Sequence, residues 1–111
     1  APSSYQRTLQ LGEGDEIESV EVSRVQALIA QGKQVAVKTA EREYCVRETL
    51  RSLLARVDPE DFVQIHRSVV VNREHVRRSL KSGGHCVAAQ LTDGSVYRVG
   101  RRYRHLAKRL L

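Results

Sequence analysis

Apolar residues recur along the chain at every second position or in short β-branched runs, bounded by Gly, Asp, Asn and Ser. That is the spacing of strands. Arg7–Leu11 and Ile17–Val22 predict two short strands on either side of the turn-rich Gly12-Glu13-Gly14-Asp15. Ser23 is placed to cap a single helical turn through Val25. Val35–Thr39 and Glu43–Val46 predict a hairpin with Ala40-Glu41-Arg42 at its tip. Phe62–Ile65 and Ser68–Val71 carry β-branched residues on either side of His66-Arg67. Val76–Lys81 follows, then Ser82-Gly83-Gly84, then Cys86–Leu91 with Val87, Ala89 and Leu91 on one face. Asp93-Gly94, ahead of Ser95–Val99, is a two-residue hairpin signal of the type that needs positive φ.

Helical spacing occurs twice. Thr49 is an N-cap residue, and Leu50, Leu53, Leu54 and Val57 follow at i, i+3, i+4 and i+7 until Asp58-Pro59 stops the helix. Gly100 breaks the last strand, and Arg101–Leu111 reads as a closing helix with Tyr103, Leu106, Ala107, Leu110 and Leu111 on its buried stripe. The fold class is therefore mainly β. With no two helices joined by a short turn, a helix-turn-helix reader is excluded.

At 111 residues the chain is one domain. Residues 1–6 read as a linker remnant and residues 7–111 as the domain. The aromatic content is 5%, with no Trp and one Phe, so aliphatic side chains must build the core. No apolar stretch is long enough to cross a bilayer and no secretory apolar segment opens the chain, so a cytoplasmic domain is expected. Cys45 and Cys86 are far apart, match no metal-binding or CxxC spacing, and read as reduced thiols in strands. No cofactor or metal motif is present.

Charge divides the chain. Residues 1–60 hold eight basic and ten acidic residues, whereas residues 61–111 hold eleven basic and three acidic. Fifteen of the nineteen cations are Arg, the side chain suited to forked contacts with phosphate and guanine. Such a half attracts a polyanion. The enzymatic alternative is a small RNA-cleaving site using His66 and His75, with Arg67 stabilising charge on phosphorus. A third reading is a basic module docking an acidic protein. Binding explains more of the residues. Arg67 stands where one strand run gives way to another, and Arg101 and Arg102 open a helix, where positive charge opposes the helix dipole by about 0.3–1 kcal/mol each. Lys33 sits at the Gln31-Gly32-Lys33-Gln34 bend.

The segment Phe62-Val-Gln-Ile-His66-Arg67-Ser68-Val-Val-Val71-Asn72 resembles the F-x-x-I-H-R-S-x-x-V-N signature of LytTR domains, the DNA-binding modules of LytR/AgrA/AlgR-type bacterial regulators. Ala30-Gln31-Gly32-Lys33 before Val35 is similar to the family's A-x-G-(N/K) turn and strand, Thr49-Leu50 with Leu53-Leu54 to its central helix, and Asp93-Gly94 with Val99-Gly100-Arg101-Arg102-Tyr103 to its D-G…V-S-R-R-Y ending. The likeness covers about residues 7–111 and departs at Gly100, where the family usually has Ser. It implies an elongated β-β-β sandwich of short antiparallel sheets, with one short central helix and a C-terminal helix, that inserts loops into successive major grooves of double-stranded DNA. By position it implies DNA contacts from Lys33, Arg67, Ser68, Arg101 and Arg102, with His66 supporting Arg67 and Asn72 supporting a turn. It further implies direct repeats as target, an upstream receiver or sensor domain, and a monomer that pairs on DNA.

Overall fold

The computed structural model describes residues 6–13 and 15–110. The expected linker remnant at residues 1–6 lies outside them except for Gln6, whose N–H donates to Arg56 O at 2.9 Å. Gly14 and Leu111 lie outside them too.

Ten strands form three antiparallel sheets. β1 (Thr8–Glu13) and β2 (Glu16–Glu21) make a two-stranded ribbon. β3 (Val25–Gln31), β4 (Gln34–Thr39), β5 (Glu43–Val46), β6 (Phe62–His66) and β7 (Val69–Asn72) make the central sheet in the order β5-β4-β3-β7-β6. β8 (Val76–Ser82), β9 (His85–Leu91) and β10 (Val96–Arg98) make a third sheet in the order β10-β9-β8. The short helix α1 (Leu50–Leu54) joins β5 to β6, capped by Thr49, whose side chain accepts from Ser52 N–H. The molecule measures 48 × 35 × 23 Å, the elongated β-β-β sandwich that was expected.

The alternation of side chains across the central sheet builds two cores. Leu28, Val35, Val37, Val70 and Phe62 face the ribbon and α1, where they meet Leu9, Leu11, Val20, Leu50 and Leu53. Ala27, Val63, Ile65 and Val71 face the third sheet and the C-terminal segment, where they meet Cys86, Ala89, Leu91 and Ala107. β3 and β7 are thus covered on both faces.

Three elements depart from the sequence reading. β3 was not expected as a strand, although it is the centre of the molecule. The closing helix is one α-helical turn, α2 (Arg104–Ala107), between 3-10 turns Arg101–Tyr103 and Lys108–Leu110; Ala107 is fully buried as expected. The Asp93-Gly94 turn is a three-residue loop. Gly94 N–H donates to Leu91 O, Leu91 N–H to Ser95 O, and of the turn residues only Gly94 takes positive φ, at 92°. The Ser23 turn is a 3-10 turn, Val22–Arg24. Both cysteines are free, Cys86 buried and Cys45 half-buried, and burial pushes the Cys86 thiol pKa up.

Candidate nucleic-acid interface

Antiparallel pairing decides where the cations stand. Gln31 pairs with Gln34, so Gly32-Lys33 closes a two-residue turn between β3 and β4, with φ of 62° at Gly32 as a II′ turn requires at its first central residue. Ile29 pairs with Val69, and Ala30 N–H donates to Ser68 O at 2.8 Å, which sets the β6–β7 turn, Arg67-Ser68, beside the Lys33 turn. Gly100 N–H donates to Ile65 O at 2.7 Å and brings Arg101 and Arg102 to the same end of the sheet. Four of the five expected contact residues, Lys33, Arg67, Arg101 and Arg102, are exposed there; Ser68 is half-buried. No ion pair among the described residues engages any of the four cations.

His66 sits between two of these segments. Its Nδ1 accepts from Ser68 N–H at 3.1 Å, and a Cβ at Gly100 would stand 3.5 Å from its Cδ2. A serine in place of Gly100 would also meet Tyr103 Cδ2 at 3.3 Å. Asn72, at the far end of β7, is buried; its Nδ2 donates to Val25 O and its Oδ1 accepts from Glu74 N–H. His75 follows it, with Nε2 2.7 Å from Ser23 O. His66 and His75 therefore stand at opposite ends of the sheet and do not form the paired proton-transfer site that RNA cleavage would need.

Two cations that the sequence reading left aside or treated as mere surface share the Lys33–Arg67 end. Arg47 follows the last residue of β5 and is exposed beside Lys33, because Val46 pairs with Val35 at the start of β4. Lys81 lies next to the β8–β9 turn, level with Gly100, since Arg98 pairs with Ala88 and Val99 N–H donates to Val87 O. The opposite end carries Glu41, Asp58, Glu60, Asp61 and Glu74 around the starts of β5 and β6 and the end of β7. Arg24, Arg42 and Arg73 stand at that end too, with Arg24 paired to Glu41, so both signs of charge meet there.

Residues 15–111 match the LytTr DNA-binding domain family. The chain belongs to that family. Members are transcription-regulator domains rather than enzymes, and this LytTr domain is not an enzyme. Among its relatives are the CO-responsive transcriptional regulator RcoM of Rhodospirillum rubrum, 38% identical over 76% of this chain and 36% of that protein, and the sensory transduction protein LytT of Bacillus subtilis, 30% identical over 96% of this chain and 44% of that protein. The LytTr domain thus spans less than half the length of these curated relatives. A solved LytTr DNA-binding domain from Bacillus cereus has the same fold, with a TM-score of 0.84 at 21% identity over 95% of this chain and 96% of that one. No helix among the described residues is long and apolar enough to cross a membrane.

Proposed function

We propose that this domain binds double-stranded DNA sequence-specifically as the effector part of a cytoplasmic bacterial transcription regulator. The observation that carries the reading is the gathering of Lys33, Arg67, Arg101 and Arg102, exposed and without carboxylate partners among the described residues, at one end of one sheet. Across five strands at about 4.8 Å spacing this end is roughly 20 Å wide, more than half the 34 Å helical repeat of the duplex. The Lys33 and Arg67 turns stand about 10 Å apart, two strand spacings, and the Arg101–Arg102 segment flanks β6 beyond them, so the row as a whole, rather than two neighbouring turns, reaches toward successive grooves. Lys33 enters the first major groove, Arg67 and Ser68 meet the backbone near the minor groove, and Arg101 or Arg102 reads the second major groove. A forked guanidinium on guanine O6 and N7 supplies roughly 1–3 kcal/mol of discrimination there. His66 holds the Arg67-Ser68 turn, and Asn72 holds the turn at the opposite end of β7. The greater length of the relatives leaves room for an upstream receiver or sensor domain; binding to direct repeats by a domain that is monomeric alone and paired on DNA completes the reading. No cofactor takes part.

Selection of bound sequences from a random duplex pool tests this. Recovery of a defined motif is expected, with affinity for it falling steeply with salt, by about 0.9 in log K per log salt for each phosphate neutralised. Arg101→Ala or Arg102→Ala removes the preference for the motif over random duplex, whereas Lys81→Ala weakens both alike. A pool that yields no motif, or binding indifferent to salt, sinks the reading. So does an acidic protein partner that duplex DNA cannot displace.

A further inference from the structure

We infer that Arg47 and the Lys33 turn together form a phosphate clamp that extends the DNA-facing row by one contact beyond Lys33, on the outer flank of the site. This rests on the DNA-binding reading above. Arg47 and Lys33 line one open cleft together with Gln31 and Gln34. All four residues are exposed, and the cleft contains two cations, two amides and no carboxylate.

Folding does not account for the placement of Arg47. It lies two residues before Thr49, the N-cap of α1, where a cation meets the unfavourable end of the helix dipole. The adjacent carboxylate does not pair with it: Glu48 is held by Arg56, whose Nη2 lies 2.6 Å from both Glu48 oxygens. No ion pair or side-chain hydrogen bond among the described residues engages Arg47. An unpaired cation across a strand end from a second one is a site for an anion of diffuse charge. A backbone phosphate fits better than a base edge, because β5 is the outermost strand of the sheet and lies beyond the Lys33 turn.

Binding of the selected duplex and of a random duplex by Arg47→Ala, across a salt series, tests the clamp. The expected result is a similar loss on both duplexes, about five- to tenfold at low salt, with the salt slope reduced by about 1. Arg47→Lys restores most of the affinity, since a point charge suffices for phosphate. A neutral methylphosphonate at the flanking position reproduces the loss in the wild type and adds nothing in Arg47→Ala. If Arg47→Ala binds as the wild type does while Arg67→Ala is weakened, the clamp is wrong and the DNA reading stands. A changed sequence preference with an unchanged salt slope makes Arg47 a base reader and also overturns the clamp. If Arg67, Arg101 and Arg102 variants bind DNA unchanged as well, the reading beneath it fails. Matching thermal melts of wild type and both variants keep the comparison free of folding effects.

Discussion

Asn72 shows how much one side chain can hold. It is 1% exposed, and its amide serves two partners on different elements: Val25 O at the start of β3 and Glu74 N–H in the turn after β7. Removing it leaves a buried carbonyl and an amide N–H short of a partner, each costing about 1–3 kcal/mol when unpaired. Asn72→Ala is expected to lower the unfolding free energy by roughly 2–3 kcal/mol, read by urea denaturation, while leaving affinity for DNA unchanged in the fraction that remains folded. The sequence offered Asn72 as a residue that bonds its own turn, which it does through Glu74. Its bond to Val25, 47 positions away, is a product of the tertiary pairing and has no local signal. Arg47 was missed for the opposite reason. A single cation at a strand end looks like ordinary surface until the register of β4 and β5 sets it beside Lys33.

Among the elements, nine of the ten described strands were expected, and the turns between them were placed more surely than they were typed. The Asp93-Gly94 pair marked a reversal correctly, yet the hydrogen bonds make it a three-residue loop in which Gly94 alone takes the left-handed conformation. Gly94→Ala has open space around it and is expected to cost about 1 kcal/mol purely through backbone strain. Gly100→Ala, at φ −66°, carries no such strain; its Cβ is tight only against the Tyr103 ring at 3.3 Å and in ordinary contact with His66 Cδ2 at 3.5 Å, so its melting temperature should fall less than that of Gly94→Ala. Reversal of that order would show that packing around His66 dominates. β3 escaped the sequence reading because its short apolar run, Ala27–Ala30, has neither alternation nor helical period. Such a run is what a strand covered on both faces requires. Of the expected C-terminal stripe, Ala107 is buried, Tyr103, Leu106 and Leu110 are half-buried and Leu111 lies outside the described residues, and the helix divides into short turns as the chain bends around β6 and β9.

At the scale of the molecule, the layers are joined by few polar ties. Lys38 on β4 meets Asp93, Ser95 and Tyr97 of the third sheet, with Nζ 2.9 Å from Asp93 Oδ2; the two charged side chains are 24% and 28% exposed. Burial raises the Asp93 pKa, but the Ser95 N–H and the Lys38 ammonium outweigh it and hold the carboxyl below its ordinary value. The hydrogen bond to Asp93 in turn holds the Lys38 pKa above its ordinary value. A depressed carboxylate stabilises the fold above its unfolded pKa, near 3.9, and loses that contribution as pH falls through its folded value. A raised ammonium stabilises the fold below about pH 10.4 and loses that contribution as pH rises through its folded value. The stability difference between wild type and Asp93→Asn is therefore expected to be flat at about 1 kcal/mol from pH 5 to 9 and to shrink at both extremes. A difference independent of pH would remove the ion pair from the account.

The hydrogen bond from Gly100 N–H to Ile65 O has a geometric corollary. It fastens the segment bearing Arg101 and Arg102 to β6, the strand that ends at His66 just before Arg67, so two stretches distant in the chain share one backbone coordinate. The gap between their backbones is then set by peptide dimensions, and only the exposed side chains can adjust it. On the proposed reading, a duplex whose groove spacing does not suit that gauge is met by side-chain rotamers rather than by movement of the two segments apart.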